Sequence, residues 1–227
     1  SAENHEDVVL EDSTDATENT YAKVVSSFSA VLMEREDGAE YALGAEYHGL
    51  TKYTSESIKN IFIIDTDITA APAVCDGKWD VSKEQTGDVM AYAVVNASDN
   101  SKYDLYIGAA GGVVANENSS SLFANYTNCG NITGMDKLDT SNAIDMSYMF
   151  SNLTSMTELP LESLETASAT NMSHMFWLAF SNVTEWTLGN LSNWDVSNVT
   201  NYRYNASSRS TITLQSAYTS VITSTGI

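Results

Sequence analysis

Apolar and polar residues follow two different rhythms along this chain. From residue 21 to about residue 123 the pattern is strand-like. "AKVVSSFSAVLME" (22–34) alternates imperfectly, Asp37-Gly38 is a hairpin signal, and "AEYALGAEY" (39–47) reads as the returning strand. "TKYTSES" (51–57) reads as a turn or a short helix. "IKNIFIIDT" (58–66), apolar and β-branched, reads as a buried strand. "GDVMAYAVV" (87–95) and "KYDLYIGA" (102–109) are strand-like runs separated by the polar turn "NASDNS". "GAAGGVV" (108–114) supplies a glycine turn before another short strand. It is not a G-x-G-x-x-G motif and no helix is expected after it, so no dinucleotide loop is read there.

The second rhythm is a repeat. "DTSNAIDMSYMF" (139–150) returns as "ETASATNMSHMF" (165–176), and Phe123, Phe150 and Phe176 fall 27 and 26 residues apart. Leu159-x-Leu161-x-x-Leu164 returns 27 residues later as Trp186-x-Leu188-x-x-Leu191. A period of 20–29 with L-x-L-x-x-L is the spacing of leucine-rich repeats. The L-x-L piece predicts an extended edge. Met146, Met149 and Phe150, like Met172, Met175 and Phe176, sit at i, i+3, i+4 and predict one face of a short helical turn, with Ser141 or Asn142 as its N-cap. Neither edge of one copy can be buried alone, so neighbouring copies are expected to stack into a continuous core. A third copy opens as "DVSNVTNY" at Asp195, 30 residues after Glu165, and then departs as "RYNA", where Arg203 and Asn205 fit the polar outer face of a capping repeat. "STITLQSAYTSVITSTGI" reads as one or two final strands.

These rhythms predict a mainly β protein with short helical turns, an N-terminal β region followed by a short leucine-rich-repeat-like solenoid. The divisions are an acidic leader (1–20), the β region (21–75), a repeat-bearing segment (76–206, repeats at 124–150, 151–176 and 177–206) and a C-terminal strand region (207–227). The leader, with Val8, Val9 and Leu10 as its one apolar spot, reads as a solvated tail.

Composition narrows the function classes. The 227 residues are 43% hydrophobic, enough for a sizeable core, and carry 10 basic against 30 acidic side chains, a net charge of −20. Such a surface repels nucleic-acid phosphates and anionic lipids. No apolar run reaches membrane-spanning length, so no membrane insertion is expected. Ser1 opens no basic and apolar leader, so any export signal is expected to have been removed already, and "TSVITSTGI" is neither a sorting signal nor a hydrophobic anchor.

The repeat phrases resemble the BspA-like leucine-rich-repeat surface proteins of host-associated microbes and mycoplasmas. "LDTSNAIDMSYMF" (138–150), "NMSHMF" (171–176) and "NWDVSNVTN" (193–201) carry the resemblance. "WDVSKEQTGDVMAY" (79–92) and "YDLYIGAAGGVVANENSSSLF" (103–123) resemble the segment that precedes the repeats in that family. The resemblance covers about 58–206. The chain departs from the family pattern after each Met-Phe pair, where Ser151-Asn152 and Trp177-Leu178 replace the usual run to a Cys. The resemblance implies an extracellular, non-enzymatic, adhesive or scaffolding role at the cell surface.

Candidate chemistry is sparse. Cys75 and Cys129 lie in no C-x-x-C; in an exported protein they could form one disulfide, or stand as two separate buried thiols. Ten N-x-S/T sequons, at Asn96, Asn118, Asn125, Asn131, Asn152, Asn171, Asn182, Asn190, Asn198 and Asn205, are glycan acceptors if the source glycosylates. They also suit turns that the repeat copies along with itself. Asp65 and Asp67 could ligate calcium but belong to no EF-hand-type loop, and a solvated strand end explains them as well. His174 occupies the slot of Tyr148, and His5 and His48 match no catalytic motif. No enzyme and no cofactor is therefore expected. Phe123, Met146, Met149, Phe150, Met172, Met175 and Phe176 read as repeat core rather than as a ligand groove. Trp177 and Trp186 could stack on sugars or anchor a partner, with Trp186 the better placed for core because it replaces Leu159. Three functions remain open: a structural or adhesive surface protein, a subunit of an extracellular filament joined by terminal strand exchange, and a secreted module binding glycans or proteins. The partners expected are other copies of the chain, surface macromolecules of a host, or glycans.

Overall fold

The computed structural model describes residues 30–36, 38–66 and 75–201. The acidic leader, Asp67, Arg203, Asn205 and the expected terminal strands lie outside the described residues.

Among the described residues seven strands carry the regular β structure: β1 (Ile58–Ile64), β2 (Gly77–Asp80), β3 (Met90–Val95), β4 (Tyr103–Gly108), β5 (Val113–Val114), β6 (Asn131–Thr133) and β7 (Leu138–Asp139). Five form one sheet in the order β2-β3-β4-β1-β6. β2 and β3 and β3 and β4 run antiparallel, while β1 is parallel to both β4 and β6. β1 takes the interior position its four isoleucines suit, with Ile58, Ile61 and Ile63 buried on one face. Its other face carries Phe62, stacked on Tyr106 of β4 at 4.6 Å, which stacks on Tyr92 of β3 at 4.8 Å. This sheet draws β1 from before residue 75 and β6 from the repeat-bearing segment. Among the described residues one apolar cluster runs from Leu32 to Val199.

Helical geometry among the described residues is confined to 3-10 turns, at Ser55–Ser57, where Thr54 caps the turn, and at Met135–Lys137. The second turn starts on Gly134, whose φ of +86° and approach to the Ile63 carbonyl leave no room for a side chain: an added Cβ would stand 2.0 Å from that oxygen.

Among the described residues, 30–36 and 38–47 do not pair with one another as the hairpin expected across Asp37-Gly38; Asp37 itself lies outside them. Leu32 bridges antiparallel to Ser82, Val31 parallel to Val114, and Tyr41 antiparallel to Thr54. The supposed return strand folds into turns over 42–49, with Gly44 and Gly49 both at φ +70°. The cause is Arg35. Arg35 is 6% exposed and its guanidinium is drawn inward to the carbonyls of Ser121, Leu122 and Ala124, so the segment around it cannot run as a solvent-edged ribbon.

Past β5 the chain advances in copies that pair with one another. Parallel bridges join Asn118 to Asp145, Asp145 to Asn171, and Asn171 to Asn201; another joins Glu158 to Thr187. The architecture is mainly β, with the five-stranded sheet at one part of the core and the paired copies continuing it.

Candidate functional site

The repeated phrase is the feature with the most regular geometry, and its backbone explains its sequence. Within a copy, turns close from Met149 N–H to the Met146 carbonyl (3.3 Å) and from Ser151 N–H to the Tyr148 carbonyl (2.9 Å). Between copies, the N–H groups of Met146, Tyr148, Phe150 and Asn152 donate to the carbonyls of Asn171, Ser173, Met175 and Trp177 at 2.7–3.0 Å. One copy earlier, Ser119, Ser121, Phe123 and Asn125 donate in the same way to Asp145, Ser147, Met149 and Ser151. Every second N–H thus binds the neighbouring copy. This is a correction to the expected helical turns. Tyr148 (φ 55°) and Asn152 (φ 58°), and likewise Ser121 and Asn125, or His174 and Leu178, are left-handed residues four apart, which an α-helix excludes. A double turn every four residues returns positions i, i+3 and i+4 to one face almost as a helix does.

The apolar face is core, as the spacing predicted. Phe123, Met146, Met149, Phe150, Met172, Met175 and Phe176 are all at most 2% exposed. The three phenyl rings form a column, 5.6 Å from Phe123 to Phe150 and 5.8 Å from Phe150 to Phe176, each pair within 9° of parallel. Leu159, Leu161, Leu164, Leu188 and Leu191 are buried beside it. Trp186 is half-buried and stacked on Phe180 at 4.9 Å.

The sequons turn out to be turn chemistry in several copies. In Asn96-x-Ser98, Asn118-x-Ser120 and Asn171-x-Ser173 the Asn Oδ1 accepts both the N–H and the hydroxyl of the Ser two residues on. Asp145-x-Ser147 and Asp80-x-Ser82 do the same without being sequons. The side-chain nitrogen, where a glycan would attach, is engaged in Asn96 (to Asp104), Asn118 (to Glu34), Asn152 (to Asn125), Asn171 (to Asp145) and Asn198 (to Ala167). Asn96 is also 6% exposed, which closes it to a glycan in the folded chain. Asn125 is half-buried as the acceptor of Asn152, while Asn131, Asn182 and Asn190 are exposed.

The two cysteines are free thiols, so the disulfide that remained open does not form. Cys75 is exposed before β2; Cys129 is buried, donates to the Asn131 carbonyl (3.2 Å), and has its thiol pushed up to about 12 by desolvation. Asp65 faces solvent 3.9 Å from Lys137. Among the described residues no three His, Cys, Asp or Glu side chains gather as a metal site. His48 bonds the Asp80 carbonyl at 2.8 Å, and His174 stacks on Tyr148. Neither is bonded to a serine, a cysteine thiol or a carboxylate side chain among the described residues.

Sequence reasoning missed Arg35. Its Nη1 donates to the three carbonyls named above, its Nη2 to the Tyr41 carbonyl (3.0 Å) and Ser55 Oγ (2.8 Å), and its plane lies 4.3 Å from the Tyr126 ring centroid. Burial lowers the pKa of this guanidinium. Beside it opens a cleft of about 640 Å³ walled by Glu34, Glu36, Glu46, Tyr41, Tyr47 and Lys83. A lone basic residue between two acidic ones carries no sequence signal for contacts 86–89 positions away.

Sequence reasoning also left open the side of the copies facing away from the core. There Tyr148 and His174 stack at 4.8 Å and 3°, and Trp177 meets Tyr148 edge-on at 6.4 Å, itself 36% exposed. No helix among the described residues is long and apolar enough to cross a membrane. No curated protein and no solved structure matches the chain. Residues 115–216, the stretch that holds the copies, are similar to the family described as "Mycoplasma protein of unknown function, DUF285".

Proposed function

We propose that this chain is a non-enzymatic extracellular surface protein with a structural or adhesive role, and that its paired copies form a short leucine-rich-repeat-like solenoid of the BspA-like kind. The observation that carries the reading is the phenyl column with its copy-to-copy hydrogen bonds. Regular pairing of this sort builds an extended face, and extended faces suit broad contacts with macromolecules better than chemistry on a small substrate. The similarity of residues 115–216 to a mycoplasma family, and the repeat phrases that resemble BspA-like proteins, support the same reading. The high negative charge keeps such a face from sticking to nucleic acid and anionic membranes.

The direct test is antibody labelling of intact and permeabilised source cells, together with adhesion of protein-coated beads to epithelial cells and matrix proteins. Labelling of intact cells and bead adhesion are expected. Labelling confined to permeabilised cells would sink the extracellular reading. A second reading, a filament subunit, draws on the parallel bridges, because a ladder of this kind is extendable by another copy of the chain. Negative-stain electron microscopy at high protein concentration decides it: fibres support it, and uniform single particles remove it.

A further inference from the structure

Repetition separates what each copy needs from what only some copies hold. The slot of Tyr148 and His174 is filled one copy earlier by Ser121, with the same left-handed backbone (φ 59°, against 55° and 56°), and Ser121 and Tyr148 both donate to the copy that follows them. The slot of Trp177 is filled in the preceding copies by Ala124 and Ser151, both buried. The backbone therefore asks for no aromatic ring at either slot, and a left-handed position disfavours bulky side chains. Three rings converge there nonetheless.

Some aromatic residues of the fold have their polar edges engaged within the chain. Trp79 and Trp194 give their indole N–H groups to the carbonyls of Leu43 and Leu161. The Tyr53 hydroxyl donates to Asp76, and that of Tyr126 accepts from the Leu43 N–H. Among the described residues, the Tyr148 hydroxyl and the Trp177 indole N–H have no hydrogen-bond partner, and His174 Nδ1 is buried without one. Among the described residues the rings are held in place by packing, with these polar atoms unmatched.

We propose that Tyr148, His174 and Trp177 form a platform that stacks on a pyranose ring of an uncharged glycan. A ring face carrying C–H groups lies flat on an aromatic face, and the open Tyr hydroxyl and Trp N–H reach sugar hydroxyls at its rim. The net charge of −20 turns away sialylated and sulfated glycans. The proposal rests on the adhesive reading and supplies the class of ligand for it.

Isothermal titration and saturation-transfer NMR of the whole chain test it, with chitotriose, cellotriose, maltotriose and mannotriose as neutral probes and sialyllactose as the anionic one. At least one neutral trisaccharide is expected to bind. Trp177→Ala should weaken that binding about tenfold or more, and so should Tyr148→Ser, which installs the residue type of the Ser121 slot and should leave the fold intact. Trp186→Phe, which keeps the stack on Phe180, should bind as the parent does. Binding of none of the four neutral probes, undiminished binding in both platform variants, or equal binding of sialyllactose would each overturn the platform. The two readings fail separately. Beads that adhere while no trisaccharide binds remove the platform alone. Trisaccharide binding by a protein labelled only inside permeabilised cells removes the adhesive role alone.

Discussion

Replacing Arg35 by alanine should cost about 3–5 kcal/mol of folding stability, on the scale of breaking a buried charged contact. The figure can be built from the structure. The guanidinium serves five carbonyls and one hydroxyl. Three of the five keep another donor: Ser121 has the Ala124 N–H, and Ala39 and Tyr41 share the Ser55 hydroxyl. The Leu122 and Ala124 carbonyls keep none among the described residues, and each buried orphan costs about 1–3 kcal/mol. Loss of the cation over Tyr126 adds roughly 0.5–2 kcal/mol. Relief from burying a charge, the cause of the lowered pKa, and from the orphaned Nε offsets part of the sum. Urea unfolding followed by tryptophan fluorescence measures the difference, with Arg35→Met as the volume-matched control. Trp79 and Trp194 lie in different parts of the fold, so single-tryptophan variants also report whether sheet and copies unfold together. Arg35 ties the N-terminal turns at Tyr41 and Ser55 to the first copy, so a single transition is expected in the parent. A loss below about 1 kcal/mol in the alanine variant would show that the orphaned carbonyls find water, and the reasoning would fall.

Other outcomes follow from the same geometry. Phe150→Ala removes the central ring of the phenyl column and should destabilise by about 3–5 kcal/mol, more than Phe150→Leu, in the same unfolding assay. Gly134→Ala combines a positive φ with a backbone clash and should cost well over 1 kcal/mol; a melting temperature equal to the parent's would refute the close approach to Ile63. A chromogenic thiol reagent should titrate one cysteine, Cys75, in the native protein and two after unfolding. Because the folded Cys129 thiol titrates at about 12 against the usual 9.0, the unfolded chain releases that proton first. Stability should therefore fall as pH rises from about 9 toward 12, by up to one proton's slope more in the parent than in Cys129→Ala.

Strands whose signal is local were legible. Ile58–Ile64, Met90–Val95 and Tyr103–Gly108 announced themselves by β-branched or alternating runs bounded by polar turns, and the glycine pair Gly111-Gly112 marked the start of Val113. The burial of the Met and Phe residues was legible too, because the repeat copies its apolar slots. What failed was local geometry decided elsewhere. Spacing of i, i+3, i+4 suits a helical turn and a four-residue double turn equally. The choice between them lies with carbonyls 25 residues further on, such as Asn171 for Met146. The hairpin at Asp37-Gly38 gave way for the same kind of reason, since Arg35 finds its partners beyond residue 120. Trp177 stood out along the chain as a residue that could stack on sugars, but its company with Tyr148 and His174 needed the copies to be overlaid.

The bonds between copies also have a mechanical consequence. They join residues some 25–31 positions apart, as from Met146 to Asn171 or Asn201 to Thr170, so tension on the two ends of this region loads them one row after another instead of all at once. A copy that gives way frees roughly 26 residues, about 90 Å of extended chain, while the rows behind it stay closed. Single-molecule pulling should record small, evenly spaced steps of that length, and one large rip would contradict this. A protein that yields in such steps absorbs shear gradually, which suits a tether held between two moving surfaces.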